Sequence, residues 1–529
     1  MKGAAAVTYR RLRAPAEDGA VLIDPPLSQV GELLRTNALA LNAPIQIAGQ
    51  SLASLRAQAR EELLAAALAY TRAYRDVPDP LNGDVPFFMG GHQPQMFHPG
   101  VWFKNFLLSQ LARDHRGVAI NLAIDNDVVK SASIRVPGGS ATSPTVESIS
   151  YDATFTELPF EERRIQDLEL FASFGDRVEE MMGQLVADPL VKAFWPLVVA
   201  RARATDKLGE SMAQARHQLE GQWGAMTLEV PQSAVCGLTA FQEFAAHLLA
   251  ELPRFVEVHN GTLADYRRVH RLRNAAHPIP DLVRQDDWLE APFWIWDRDN
   301  PQRRRLFVRT TGDAQVELTD RAGWQERVSV QSGEGVADLL KRGIKLRTRA
   351  LTTTLFARLL LADMFVHGIG GAKYDQITDV LLAEFYGVIP PGFMIATATL
   401  RLPIPRARAT LADERRIDEQ LRQLTFQPDR FVEQFSAECG DKSDSQQWLS
   451  QKREWIDAPV TLESSRTRCR AIRAANEHLQ PCVAKLRESL LRERAAIHEA
   501  VRVEAVLGSR EYAFCLHPES ALRDLMQFY

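Results

Sequence analysis

Cysteine is scarce and never paired along the chain. Cys236, Cys439, Cys469, Cys482 and Cys515 are dispersed, odd in number and without a CxxC spacing, which argues against a cysteine zinc site or a disulfide framework. Reduced thiols with packing roles are expected. No apolar run reaches the length of a membrane span, and the stretch before Arg10 has small residues rather than a secretory apolar core. The expectation is therefore a cytoplasmic protein with no membrane partner. Neither sign of charge prevails: 63 Lys and Arg against 67 Asp and Glu give a net charge of -4, with no global pull toward nucleic acid. Also missing are internal repeats, low-complexity segments, a Gly-Lys-Ser/Thr phosphate loop, a GxGxxG fingerprint and any support for a serine or cysteine triad. His259, His270 and His277 do not follow a metal-ligand spacing, so no metal site is expected.

What is present is a 529-residue chain, too long for one ordinary core, so two or three domains are expected. Its centre of organisation is Val85 to Asn105. The apolar run Val85 to Met89 reads as a strand buried on both faces and stops at Gly90 and Gly91, which puts His92 at a strand's carboxyl end. A polar loop, Gln93 to Gly100, leads into a helix from Val101 to Arg113. Gly117 to Ile124 is a second buried strand that runs into Asp125-Asn-Asp127. Two apolar strands joined by a helix make a parallel crossover, so His92 and Asp125 should emerge at one sheet edge, where open α/β sheets bind ligands.

Around this unit, helices are expected at Gln29 to Leu41 and Ser51 to Tyr74. Strands are expected at Ser131 to Val136 and Ser143 to Thr154, about a turn at Pro137-Gly-Gly139. A mostly helical stretch runs from Phe160 to Trp223. A strand from Met226 to Cys236 precedes a helix from Thr239 to Leu252, and the aromatic run Trp288 to Trp296 reads as a strand antiparallel to Leu306 to Thr310. The segmentation is residues 1–409 as an α/β core with a helical insertion at about 155–225, residues 410–507 as a charged helical hairpin or coiled coil, and 508–529 as a tail packing back on the core.

Three polar clusters carry the candidate chemistry. In the first, His92 and Gln95 are the candidate catalytic residues and Gln93, His98, Lys104 and Asn105 bind substrate; the loop exceeds what helix capping requires, although an N-capping loop is the bland alternative. Asp125 and Asp127 join them as candidates to bind Mg²⁺, an amine or a hydroxyl, or else form a turn. In the second, a helix through Tyr266, His270 and Asn274 would align a polar stripe beside Arg267 and Arg271, with His277 following. Arg267, Arg271, Asn274 and His277 then hold an anion, or form a solvated basic face. In the third, Gly368, Gly370 and Gly371 precede a helix from Ile377 to Phe385. Bare backbone there suits an anion cradle, completed by Lys373, Tyr374 and Asp375; a tight turn is the alternative.

Gly91-His-Gln-Pro-Gln-Met-Phe97 with its following helix resembles the signature of the bacillithiol biosynthesis cysteine-adding enzyme family. Asp125-Asn-Asp127 takes the place of that family's acidic cluster, and His367-Gly-Ile-Gly-Gly371 followed by a helix and Pro390-Pro391 is similar to its later glycine-rich segment. The acidic segment departs from the family's Glu-Asp-His-Asp pattern, and Gly368 to Asp375 from its Gly-Gly-Pro type sequence. The resemblance implies a Rossmann-like, nucleotidylyltransferase-type parallel sheet, a helical connecting region, a dimerising C-terminal coiled coil, and ligation of cysteine to a glucosaminyl malate. The functional expectation is an enzyme joining an amino acid or amine to a small anionic or sugar-acid acceptor. ATP or ADP with Mg²⁺ is a candidate cosubstrate that no phosphate loop decides. A nucleotidyltransferase of the HxGH type and a catalytically silent dimeric scaffold are the alternatives.

Overall fold

A computed structural model describes residues 7–80, 83–153, 157–274, 276–312, 314–432, 442–461 and 464–527. The chain divides into two compact units: Met1–Val136, Glu147–Leu402 and Arg510–Tyr529 form the first, and Pro137–Val146 with Pro403–Ser509 the second.

In the first unit, chain order gives β1 (Val21–Asp24), α1 (Val30–Leu41), α2 (Leu52–Arg72), β2 (Phe87–His92), α3 (Pro99–Asp114) and β3 (Val118–Ala123). The helices α4 (Val191–Thr205) and α5 (Leu208–Gln222) precede β4 (Leu228–Pro231), α6 (Thr239–Ala250) and α7 (Leu252–Val269). Strands β5 (Trp288–Trp296), β6 (Arg304–Gly312), β7 (Gln315–Thr319), β8 (Gln325–Ser329) and β9 (Lys345–Thr348) follow. The unit's later elements are α8 (Ala350–Phe356), β10 (Met364–His367), α9 (Ile369–Val380) and β11 (Met394–Ala398).

Six of these strands form one sheet in the order β1-β11-β10-β2-β3-β4. Every pairing in it is parallel except β1 with β11. Strand β3, Val-Ala-Ile-Asn-Leu-Ala, is buried at every position, the pattern of a parallel strand covered on both faces. A second, antiparallel sheet runs β8-β7-β6-β5-β9. One apolar core joins the two sheets, with Met89, Ile120 and Phe365 from the first, Phe293, Leu306 and Leu318 from the second, and Phe241, Phe244 and Phe356 between them.

Several expected elements differ. The Met226 to Cys236 strand is confined to β4 because the chain turns helical at Gln232–Val235, straight after Pro231. The helix expected from Ile377 begins instead at Ile369. Glycine costs most in a helix interior, whereas Gly370 and Gly371 occupy the first turn, whose N–H groups have no intrahelical acceptors. α7 ends at Val269, and Arg271 takes a left-handed φ of 54°, which turns the chain before Asn274. The stripe proposed through Tyr266, His270 and Asn274 is therefore not a helix face. Pro137 to Gly139 lies within a strand, Ser133–Gly139, ahead of the strand Pro144–Ser150; Thr154 is outside the described residues.

The second unit holds α10 (Leu411–Phe426), α11 (Lys442–Asp457), α12 (Ser465–Leu479) and α13 (Ala484–Leu507). α10 opens with a capping box between Thr410 and Asp413 and packs on α13 through Ile417, Leu424 and Leu490. α11 meets α12, with Trp448 stacked on His478 at 4.1 Å between ring centroids. Cys236, Cys469 and Cys515 are free thiols, but Cys482 is disulfide-bonded, contrary to the expectation of reduced thiols throughout; Cys439 is outside the described residues. Among the described residues no helix is long and apolar enough to cross a membrane.

Candidate active site

Because β2, β3 and β10 are parallel neighbours, their carboxyl ends deliver His92, Ile124 to Asp127 and His367 to one edge of the sheet. A cavity of about 890 Å³ opens at that edge. The starts of α3 and α9 form one side of it, while Pro292, Trp294, Arg303 and Arg305 of the antiparallel sheet and the segment Thr348 to Thr354 form the other.

His92 closes β2 with its ring 4.6 Å from that of Phe97. Its Nδ1 lies 3.1 Å from the Gln93 carbonyl oxygen. A carbonyl only accepts, so the neutral ring carries its proton on Nδ1 and keeps a lone pair on Nε2. Burial, then the charge of Lys104, push this imidazole down to about 3. His92 is thus a neutral ring at ordinary pH that supplies no positive charge. Lys104 is buried on α3, and its Nζ donates to the Gly91 carbonyl at 3.4 Å. Among the described residues it has no ion-pair partner, and burial lowers its ammonium to about 8.

The acidic pair separates. The chain turns at Asp125 and Asn126 on leaving β3, which breaks the strand's alternation, so Asp127 faces the cavity while Asp125 turns away and is bound by the backbone N–H of Ser233 at 2.8 Å and by its hydroxyl. Burial, then Glu161, raise Asp125 to about 7. Asp127 accepts from Gln93 Nε2, Arg303 Nη1 and the Val128 N–H, each at 2.9 Å. Burial opposes its ionisation, but these hydrogen bonds and the Arg303 charge outweigh it and leave the carboxyl below its ordinary value. A divalent site shared by Asp125 and Asp127 is excluded by this divergence. Among the described residues no cluster of three or more His, Cys, Asp or Glu offers a metal site.

At β10, His367 is 95% buried, with Nε2 donating to Asp375 Oδ2 at 3.0 Å. Asp375 also pairs with Arg358, which reaches Asp379 at 2.6 Å and the Pro391 carbonyl. Burial works against the Asp375 charge, but Arg358, then His367, hold this carboxyl far below the usual carboxylate range. Gly368 is the N-cap of α9 and makes no side-chain cap; Gly368 to Gly371 and Lys373 line the cavity, presenting first-turn N–H groups and a cation to it.

Of the sequence candidates, His92, Gln93, His98, Lys104, Asp127, Gly368, Gly370, Gly371 and Lys373 are brought together around this one cavity. Others are not among its lining residues. Gln95 is exposed, and Asn105 donates to buried Glu220 at 2.7 Å. Arg271, Asn274 and His277 are exposed, and Tyr374 packs edge-on against His277. Asp375 acts on His367 from beneath the cavity. Arg267 holds Asp281 and the Ile279 carbonyl at 2.8 Å each, tying down a loop whose Ile279, Pro280 and Leu282 line the wall. Comparison with models of known protein families and with curated proteins finds no match.

Sequence reasoning missed His367 and His259 as site residues, and the Arg303, Arg349 and Trp294 wall. His367 had a usable signal, since Met364 to His367 repeats the apolar-run-then-histidine pattern of β2. Arg349 had none, since its contact with Trp294 joins positions far apart in sequence, whereas Arg303 meets the same ring across the turn between β5 and β6; both guanidinium carbons lie 4.2 Å from the Trp294 ring centroid.

Proposed function

We propose that the chain is an enzyme joining an amino acid or amine, cysteine-like in kind, to a small anionic or sugar-acid acceptor, as the bacillithiol biosynthesis cysteine-adding enzymes do. The observation carrying this reading is the convergence on one cavity of a neutral strand-end histidine, an ionised Asp127 and several cations, among them Lys104, Lys373 and Arg13. Asp127 suits an ammonium. Lys104, Lys373 and the N–H groups of α9 suit the acceptor's anionic part. The Rossmann-like, nucleotidylyltransferase-type assignment is part of the same proposal and is supported by the run of five parallel strands that makes up the sheet apart from β1. So is a homodimer through α10 to α13, where Leu411, Phe426, Ile456 and Leu491 are exposed; a monomer by light scattering at micromolar concentration removes it.

The test is formation of a ligated product from L-cysteine and glucosaminyl malate, with and without Mg-ATP, followed by mass spectrometry. His92→Ala should abolish it, and full turnover by that variant refutes the role of His92. The uncapped start of α9 beside His92 also favours a second reading, nucleotidyl transfer, in which ATP or CTP releases pyrophosphate and His92→Ala does not.

A further inference from the structure

Two histidines stand at the carboxyl ends of adjacent parallel strands on this cavity, in opposite surroundings. His92 meets an ammonium, and its Nδ1 is committed to a backbone carbonyl. His367 meets a carboxylate: its Nε2–H is held by Asp375, and the ring is clamped between Phe365 and Phe393, with centroids 4.5 and 5.0 Å away. The other edge of that ring faces Gly371. A Cβ built on Gly371 would stand 2.8 Å from His367 Nδ1, so only a glycine lets the start of α9 pass this close without crowding that nitrogen, and both residues line the cavity.

We propose that His367 is the catalytic base of this site, taking at Nδ1 the proton of the bound nucleophile, with Asp375 as the positioning residue that fixes its tautomer. The proposal rests on the reading of the cavity as a place where an amine is joined to an acceptor. In the step, an N–H bond of the ammonium breaks, its electron pair stays on nitrogen and the proton bonds to Nδ1; the freed lone pair then bonds to the acceptor's acyl carbon as that carbon's bond to its leaving group breaks, releasing water from a free carboxyl, or phosphate or AMP from one activated by ATP. The resulting imidazolium is stabilised through Nε2–H by Asp375, and no change of oxidation state is involved. The charged groups around His367 are Asp375 and Asp379 of α9 and Arg358 from the turn after α8. His92 is the poorer base, since burial and Lys104 leave its imidazole reluctant to accept a proton.

The experiment has two arms on the full chain. In the first, ¹⁵N-histidine-labelled protein is examined by long-range ¹H–¹⁵N correlation, with His367→Asn to assign the signal. The expected result is a neutral ring protonated at Nε2 and bare at Nδ1, a preference that Asp375→Asn weakens; a ring protonated at Nδ1 overturns the proposal whatever the substrate. In the second, ligation of L-cysteine to glucosaminyl malate is followed for His367→Asn and Gly371→Ala. Each should lose about 10²–10⁴-fold in kcat while L-cysteine affinity stays within about threefold, and the residual rate should climb with pH as bulk base takes over. The Gly371→Ala methyl would stand 2.8 Å from a ring that two phenylalanines hold, so this variant should also lose a few degrees of Tm, and a kcat loss that persists well below its Tm separates this role from misfolding. If both variants retain wild-type kcat, His367 is not the base. A wild-type chain inert toward both probes refutes the functional reading instead, while the tautomer arm still decides whether Nδ1 is available.

Discussion

Replacing Lys104 with methionine should stabilise the protein while impairing its site. The Lys104 side chain is 95% buried, has a single long hydrogen bond to Gly91 and lacks a counter-ion among the described residues. Burial lowers its ammonium from 10.5 to about 8. At about 1.4 kcal/mol per pH unit, that gap corresponds to about 3 kcal/mol of native-state cost whenever the lysine is charged in both states. The sign follows from proton counts: between pH 8 and 10.5 the unfolded chain binds more protons than the folded one, so stability rises with pH across that window. Below pH 8 the cost is present in full. Methionine has a similar reach and no charge, so Lys104→Met should gain up to about 3 kcal/mol at pH 7, and the gain should fade toward pH 10.5. Urea unfolding of both proteins at pH 6, 7, 8 and 10 measures it. The same variant should bind glucosaminyl malate at least tenfold more weakly and lift the His92 imidazole, which Lys104 helps hold down. A variant less stable than wild type at pH 7, or a difference that does not change between pH 7 and 10, refutes the claim that an uncompensated ammonium is kept here for its ligand.

Four further outcomes are expected. Arg216→Met should cost about 3–5 kcal/mol, because Arg216 is the buried counter-charge shared by Glu220 and Glu229; chemical denaturation checks it. His517 is fully buried, neither ring nitrogen has a hydrogen-bond partner among the described residues, and burial holds it at about 3, so the unfolded chain binds the extra proton between about pH 3 and 6.5 and stability falls on acidification through that window. His517→Leu should flatten that fall and raise Tm at pH 5, as differential scanning calorimetry can show. Asp127→Asn should lower turnover at least tenfold, whereas Asp125→Asn should leave turnover intact and remove a stability term lost as pH rises from 3.8 toward 7. Gly100→Ala should destabilise by about 1–3 kcal/mol in thermal melts, since its Cβ would overlap the Ala398 carbonyl oxygen at 2.1 Å.

The strand-helix-strand unit β2-α3-β3 was legible because each of its signals is local: an apolar run, a glycine pair, a proline at a helix start. The antiparallel pair β5 and β6 was legible for the same reason, from its aromatic and β-branched residues. The order of the central sheet was not, because β1 pairs with β11 across most of the first unit and nothing near Val21 or Ala398 announces the partner. The site divides along the same line. His92 and Lys104 could be placed on the cavity because each sits near the end of a legible element, and the α9 glycines were legible as bare backbone before a helix, although that helix starts at Ile369 rather than Ile377. Asp125 could not be told from Asp127, since which carboxylate faces the ligand depends on where the chain leaves β3 and on Ser233, far away in sequence. Asn105 looked like a ligand group until Glu220, on a helix more than a hundred residues later, proved to need its proton.

The two strand-end histidines show how one sheet edge can supply different chemistry from the same local pattern. β2 and β10 each bring an apolar run to an imidazole at the cavity, yet their environments are set by what packs beside them: the Lys104 amine from α3 in one case, the Asp375 carboxylate from α9 in the other. Burial and the Lys104 ammonium hold the His92 ring neutral, whereas the Asp375 carboxylate takes the Nε2–H of His367 and so fixes which nitrogen is left over. Lys104 then serves twice, keeping His92 neutral and supplying the cation for an acceptor. Arg358 likewise keeps Asp375 ionised so that it can hold His367. On this argument, a carboxylate at 104 together with an amide at 375 should lower kcat more than either change alone, since His92 would lose the ammonium that helps keep it neutral and His367 the carboxylate that fixes its tautomer; kcat of the two single variants and the double variant measures it.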